Sequence, residues 1–181
     1  MQAAVGLACW EMFVAVRTLV ALVLLSAAAG KMRHWIALQG VIANYRLVPD
    51  ALVKPITYLL PPAEALLAIW LVSGWAASSA AAAAAGLLCL FAVAMAVNLG
   101  RGRRDIDCGC FQIALRQTLS WPLVWRNLCL ALGLVLSTAF VGASVGVWST
   151  LYAVLLGAVL FVLLSTLTIL WSIVPAWRRP A

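Results

Sequence analysis

Five apolar stretches, each close to membrane length and separated by polar connections, set the pattern of this chain. The first covers residues 12–30. At about 1.5 Å per helical residue it nearly spans a hydrocarbon core of about 30 Å. Arg17 is its single charge, which reaches an interface if it lies near one end and needs a partner if it lies deeper. The second stretch, 56–76, is interrupted by Pro61 and Pro62. Proline suits a first helical turn, so the tidier helix starts there. Glu64 then falls where free amide groups favour an anion. The third, 79–99, opens with an alanine run, a smooth surface for close helix contact. A tight turn around residues 76–79 makes the second and third spans antiparallel neighbours. The fourth, 123–143, carries Arg126 and Asn127 near its start, and the fifth covers 148–174. This pattern predicts an all-α polytopic transmembrane bundle of five spans in a single membrane domain. Its alternative is four spans, with the second stretch re-entrant or interfacial.

Two connections are long. Residues 31–55 contain "HWIALQGVIANY", which reads as a short amphipathic helix at the membrane interface. Pro49 and Pro55 are expected to break regular structure around it. Residues 100–122 hold the most polar string of the chain, "RGRRDIDCGCF". No internal repeat stands out, and the apolar first stretch reads as a retained span.

Composition sharpens the class. Apolar residues make up 66% of the 181 and charged residues 9%, whereas soluble domains carry about 25% charged residues. The net charge of +7 comes from only 12 Lys and Arg. No basic tract with interleaved aromatics occurs, so no nucleic acid is expected and anionic lipid is the natural partner. With five spans, every basic residue except Arg17 falls on one side, if Arg126 is assigned to its near interface. The positive-inside rule makes that side cytoplasmic and leaves the N-terminus outside. Trp10, Trp35, Trp121, Trp148, Trp171 and Trp177 lie near predicted helix ends, in partial agreement with an interfacial belt.

Cys108 and Cys110 flank Gly109. Residues two apart in an extended strand point the same way, and glycine widens the backbone choices. The two thiols can therefore meet, though so short a loop would store strain and ease reduction. Arg101, Arg103 and Arg104 favour thiolate, while Asp105 and Asp107 oppose it. A zinc site needs about four ligands. Only His34 and scattered carboxylates accompany this pair, so no metal or other cofactor is assigned. A plain polar loop with incidental cysteines stays open as the bland reading. Cys9, Cys89 and Cys129 read as small apolar fillers, with a thiol relay as the alternative.

Glu64 is the lone carboxylate within a predicted span, a functional candidate by its cost there. It could accept from Arg17 or take up a proton; the bland reading is helix-start electrostatics. Asn44, Tyr45 and Arg46 are adjacent, with Tyr45 suited to the interface and Arg46 to lipid phosphate. Asn98 ends the third span and is placed to cap it or to bridge to the polar loop. There is no Ser/His/Asp set for hydrolysis and no phosphate-cradling glycine loop. "GASVG", 142–146, has GxxxG spacing at a helix end.

The strings "GKMRHW", "NYRLVP", "LLPPAE" and above all "VNLGRGRRDIDCGCF" together resemble the MauE family of methylamine utilisation proteins, within the wider DoxX-like group of small membrane proteins. The resemblance implies a role in maturing periplasmic methylamine dehydrogenase. The small subunit of that enzyme carries a tryptophan-derived quinone and many disulfides. A thioredoxin-like partner, MauD, is implied as well. Cys108 and Cys110 match the family's CGC pair, and Asn44, Tyr45, Arg46, Glu64 and the run Arg101–Asp107 match its other recurring polar positions. The expected activity is thiol–disulfide exchange. A non-catalytic docking subunit and a small transporter built on Glu64 and Arg17 are the alternatives. A periplasmic role conflicts with a cytoplasmic CGC loop. A different span count, a re-entrant loop or a trans-membrane relay would each resolve the conflict.

Overall fold

The computed structural model describes residues 2–103, 119–138 and 147–173, with side chains described from residue 10 to residue 170. Every regular element among them is helical. They are α1 (Gln2–Arg33), α2 (Trp35–Tyr45), α3 (Asp50–Ser73), α4 (Ala77–Gly100), α5 (Trp121–Thr138) and α6 (Val147–Ile173). All but α2 are long and apolar enough to cross a membrane, which gives five candidate spans. The 24 residues of α4 reach about 36 Å.

Apolar burial alone does not drive helices together in lipid; close packing does, so small residues mark the contacts. The alanine run behaves this way. Ala80, Ala81, Ala84 and Ala85 form one buried face of α4 against Val20, Ala21 and Leu24 of α1, Ala68 and Leu71 of α3, and Ala131 and Leu134 of α5. Within this bundle α1 packs chiefly on α3 and α6, and α4 chiefly on α5. α3 and α4 are in contact as expected of sequential spans, but neither is the other's main partner. Their turn lies slightly earlier than the sequence suggested. Gly74, at φ 71°, ends α3 and Ala76, at φ 45°, begins α4.

α6 leans chiefly on α1. A Cβ added to Gly157 would stand 2.6 Å from the Ala15 carbonyl oxygen and 2.8 Å from Thr18 Cβ, so only glycine fits this crossing. Near it the Ser149 hydroxyl donates to Glu11 Oε1 at 2.6 Å. The rest of α6 presents exposed leucines, among them Leu155, Leu163 and Leu167, a surface suited to lipid tails.

The prolines depart from expectation. α3 does not begin at Pro61; it begins at Asp50 and runs through Pro55, Pro61 and Pro62. Pro49 stands at its N-cap instead. Each internal proline removes one backbone donor, a loss that membrane helices tolerate because neighbouring helices and Ser/Thr hydroxyls re-satisfy the freed groups. Glu64 consequently lies deep in the helix and not in its first turn, so helix-start electrostatics do not explain it. The predicted connecting helix is present as α2, with Leu38 and Tyr45 buried and Ile36 exposed. The "GASVG" string lies outside the described residues.

Candidate functional site

Glu64 on α3 is 0% exposed, and Lys31 on α1 is 3% exposed. The Lys31 Nζ donates to Glu64 Oε1, forming a buried ion pair. Glu64 therefore does not pair with Arg17, as the sequence reading allowed. Arg17 lies instead beside Gly74 at the α3–α4 turn, with its guanidinium 5.3 Å from the Phe13 ring centroid. The antiparallel packing of α1 and α3 dictates this choice. It sets the Arg17 turn of α1 against the end of α3, and the Lys31 turn against its interior. The Lys31 ammonium also lies 4.8 Å from the ring centroid of Phe91 on α4. Phe91 comes 14 residues after Ala77, about 21 Å along α4, so the pair lies in the interior of the bundle, away from both ends of α4. Taking two charges out of water is costly, and their mutual attraction offsets that only while both partners remain. The second carboxylate oxygen, Oε2, is buried with no hydrogen-bond partner among the described residues.

Farther along the same bundle, Arg103 ties two segments together. Its Nη1 donates to the Asn44 carbonyl at 2.7 Å and lies 3.5 Å from Asn98 Oδ1. Its backbone amide donates to the Asn98 carbonyl at 3.0 Å. Asn98 is buried and also donates from Nδ2 to Ala94 O at 3.1 Å, so it serves as the bridge the sequence allowed. Tyr45 is buried beside this clasp with Met95, Leu99, Leu119 and Leu123. Arg46 ends α2 in the left-handed region, at φ 49°, and is exposed, as is Arg101. Asn44, Tyr45, Asn98 and Arg103 are thus brought together at one end of the bundle, and Glu64 stands apart from them. Cys108, Gly109, Cys110, Arg104, Asp105 and Asp107 lie outside the described residues. Cys89 is partly buried and Cys129 is exposed.

Between the pair and the clasp lies an apolar cavity of about 340 Å³. α2 forms one wall with Leu38, Val41 and Tyr45, and α4 another with Leu90, Phe91 and Met95; Lys31 also lines it. Sequence reasoning missed both Lys31 as the partner of Glu64 and this cavity. Lys31 was counted among the residues that set topology, yet a lone carboxylate in a span requires a cation. The candidates on α1 were Arg17, Lys31 and Arg33. Asn127 was noted only for its position; it is buried, and its Oδ1 accepts from Arg126 Nη2 at 3.4 Å.

An all-helical bundle of five membrane-length helices, with an ion pair in its interior and a polar clasp at one end, defines a small polytopic membrane protein. The family model described as Methylamine utilisation protein MauE matches residues 9–140. Methylamine utilization protein MauE of Paracoccus denitrificans is 43% identical over 130 residues, covering 71% of this chain and 70% of that protein. The protein of the same description from Paracoccus versutus is 38% identical over 169 residues, 92% of this chain and 90% of its own. That of Methylorubrum extorquens is 47% identical over 117 residues, 65% and 63% of the two chains. No solved structure matches. The chain belongs to the MauE family of methylamine utilisation proteins. The family match takes in α1 to α5 and ends before α6.

Proposed function

We propose that this protein is a bacterial inner-membrane accessory factor for maturing the small subunit of periplasmic methylamine dehydrogenase. It acts with a thioredoxin-like partner of the MauD type. Cys108 and Cys110 cycle between dithiol and disulfide through a mixed disulfide with that partner. The observation that carries this reading is the Cys-Gly-Cys string, which follows within a few residues of the clasped Arg103 in a MauE-family chain. The clasp supports it by holding the root of that segment to α2 and α4, a fixed base for a group that must meet a partner. Asn98 and Asn44 have positioning roles in this scheme, and Arg101 and Arg104 favour thiolate against the opposing Asp105 and Asp107.

The orientation follows from charge. Arg46, Lys54, Arg101, Arg103 and Arg126 belong to the end where α2 and α4 finish and α3 and α5 begin, while Arg17 lies toward the other. The positive-inside rule then leaves the N-terminus outside and the C-terminus in the cytoplasm, so service to a periplasmic client requires the cysteine segment to re-enter the bundle or to work through a relay across it. Replacing Cys108 and Cys110 together by Ser tests the proposal. The expected result is a normally inserted protein that no longer supports dehydrogenase maturation; full maturation would remove the redox role. Retained maturation with the partner still co-purifying would favour a docking subunit.

A further inference from the structure

The cavity between α2, α3 and α4 plays no part in the thiol chemistry, and its shape and surroundings restrict what fills it. Its surface is almost wholly apolar. Lys31 lines it, but the ammonium is engaged by Glu64 and the Phe91 ring, so the interior calls for no polar group. A volume of about 340 Å³ is at the small end for a ligand site; it admits a chain segment and not a whole lipid. Two exposed lining residues mark its openings. Leu47, 40% exposed, stands at the α2–α3 connection. Leu90, 62% exposed, lies ten residues before the end of α4 at Gly100, about 15 Å along the helix. A flexible apolar chain can enter at the first and leave at the second. The first opening also has a cation at its rim, since Arg46 stands between the lining residues Tyr45 and Leu47. Arg46 is exposed, and its side chain makes no hydrogen bond or ion pair with a described residue, Asp50 four positions on included. Its backbone is left-handed, at φ 49°, where a helix end usually carries glycine and an L side chain is strained. A long cation is thus held, against local preference, at the mouth of an apolar cavity.

We propose that this cavity takes one acyl chain of an anionic phospholipid. Arg46 binds the phosphate at the α2–α3 connection, and the end of the chain emerges past Leu90. Guanidinium–phosphate hydrogen bonds are charge-assisted and frequently bidentate. The chain adds packing but no hydrophobic drive, because lipid tails outside are equally apolar. Selectivity therefore resides in the headgroup, where a zwitterionic lipid would bring its own cation beside Arg46. The bound chain fills the space between α2 and α4 next to the Asn44–Arg103 clasp and so supports that end of the bundle. Binding needs neither Cys108 nor Cys110 and stands apart from the redox reading.

The test is native mass spectrometry of the purified full chain in detergent, with dioleoylphosphatidylglycerol or dioleoylphosphatidylcholine added. One phosphatidylglycerol should be retained, with an affinity about fivefold above that of phosphatidylcholine, the preference expected of one cation beside an anionic lipid. Arg46→Gln should abolish that preference. Arg101→Gln, at an exposed position of the same end that does not line the cavity, should keep it. Ala94→Phe fills the cavity from α4 and should prevent retention of either lipid. A phosphatidylglycerol with a diazirine midway along one chain should label α2 and α4 of the parent, mapped by peptide mass, which locates the chain even where Ala94→Phe fails to fold. Equal retention of the two lipids by the parent, an unchanged preference in the Arg46→Gln chain, or labelling confined to α6 would each overturn the site. Full retention by a folded Ala94→Phe chain would place the lipid on the outer surface instead. A preference lost equally in Arg46→Gln and Arg101→Gln would make the whole basic end the recognition element and remove the specific role of Arg46.

Discussion

Arg17 and Lys31 are both cations on α1, 14 positions apart, yet the bundle treats them in opposite ways. Arg17 lies seven residues beyond Trp10, where its span begins. Side chains on a helix tilt toward its N-terminus, so the guanidinium is carried toward the α3–α4 turn. There it finds the Phe13 ring and the C-terminal end of α3 around Gly74, where a positive charge is favoured by the helix dipole. Lys31 has no such exit. It is buried where α1 meets α3 and α4, and its charge is met by one carboxylate and one ring face. The first cation is accommodated by an edge; the second requires a partner inside the bundle. Only the second is a constraint on which helices may neighbour which.

The sharpest way to break this comparison is to remove each cation. Lys31→Ala leaves Glu64 buried without its counter-charge and is expected to cost about 3–5 kcal/mol. The purified chain should show a markedly lower melting temperature in detergent. Replacing both partners by Met restores an apolar interior of similar bulk and should recover most of that stability. If the double replacement melts as low as the single, the pair is not the source of the effect. If Lys31→Ala melts like the parent, the ion pair contributes nothing and Lys31 differs from Arg17 only in position.

Next in size is the crossing of α1 and α6, which shares the Arg17 half of α1. Gly157→Ala places a methyl against the Ala15 carbonyl and Thr18; neither is the far end of a flexible side chain, so α6 must shift. Overpacking of this kind costs about 1–3 kcal/mol. Crosslinking between cysteines introduced at Glu11 and Ser149, whose side chains are hydrogen-bonded, should fall in the Gly157→Ala chain and persist in the parent. Undiminished crosslinking would mean that the two helices slide without separating.

Much of this was legible in the sequence, and the rest was not, for reasons the two cations illustrate. Span number and helical class follow from run length and charge content, which are local quantities. The role of the alanine run follows from side-chain size, also local. What failed was the extent of α3. Pro61 and Pro62 read as a helix start because in water a proline inside a helix is a break; in a bundle, α3 passes through them. That single error placed Glu64 in a first turn and hid the need for a deep partner. The pairing itself depends on the register of α1 against α3, which no spacing within either helix encodes. Asn98 was readable because the span it ends is followed at once by the arginine run that holds its partner, Arg103. The Asn44–Arg103 contact joins residues 59 apart, and the shared polar strings suggested both members without suggesting that they meet.

Arg103 offers a smaller and more functional contrast with its neighbour. Arg103 is clasped, and Arg101 is exposed with its side chain in no described bond. Arg103→Ala should lower stability by about 1 kcal/mol, while Arg101→Ala should leave the melt unchanged. Client maturation separates the roles further. Loss of the clasp should reduce maturation more than loss of Arg101, although both remove one positive charge next to the cysteine segment. Equal reductions would make charge alone the relevant property and would remove the positioning role of Asn44 and Asn98.

The smallest single effect, that of Arg17→Ala, belongs to the Arg17 end, and with Gly74 it tests whether that end is as forgiving as it looks. Gly74→Ala faces two separate costs. At φ 71° an L side chain is strained, which costs about 1–2 kcal/mol. The new methyl would also stand 3.3 Å from Arg17 Nη1, but that atom is the tip of a flexible side chain that can move aside. Arg17→Ala alone gives up a cation–ring contact of about 0.5–1 kcal/mol. If the guanidinium simply yields, the double change to Ala at both positions should cost the sum of the two single changes. A double change that costs clearly less than the sum would show that Arg17 is held in place against the turn. The bundle would then have a second fixed cation, and the distinction between an edge that accommodates and an interior that demands a partner would disappear.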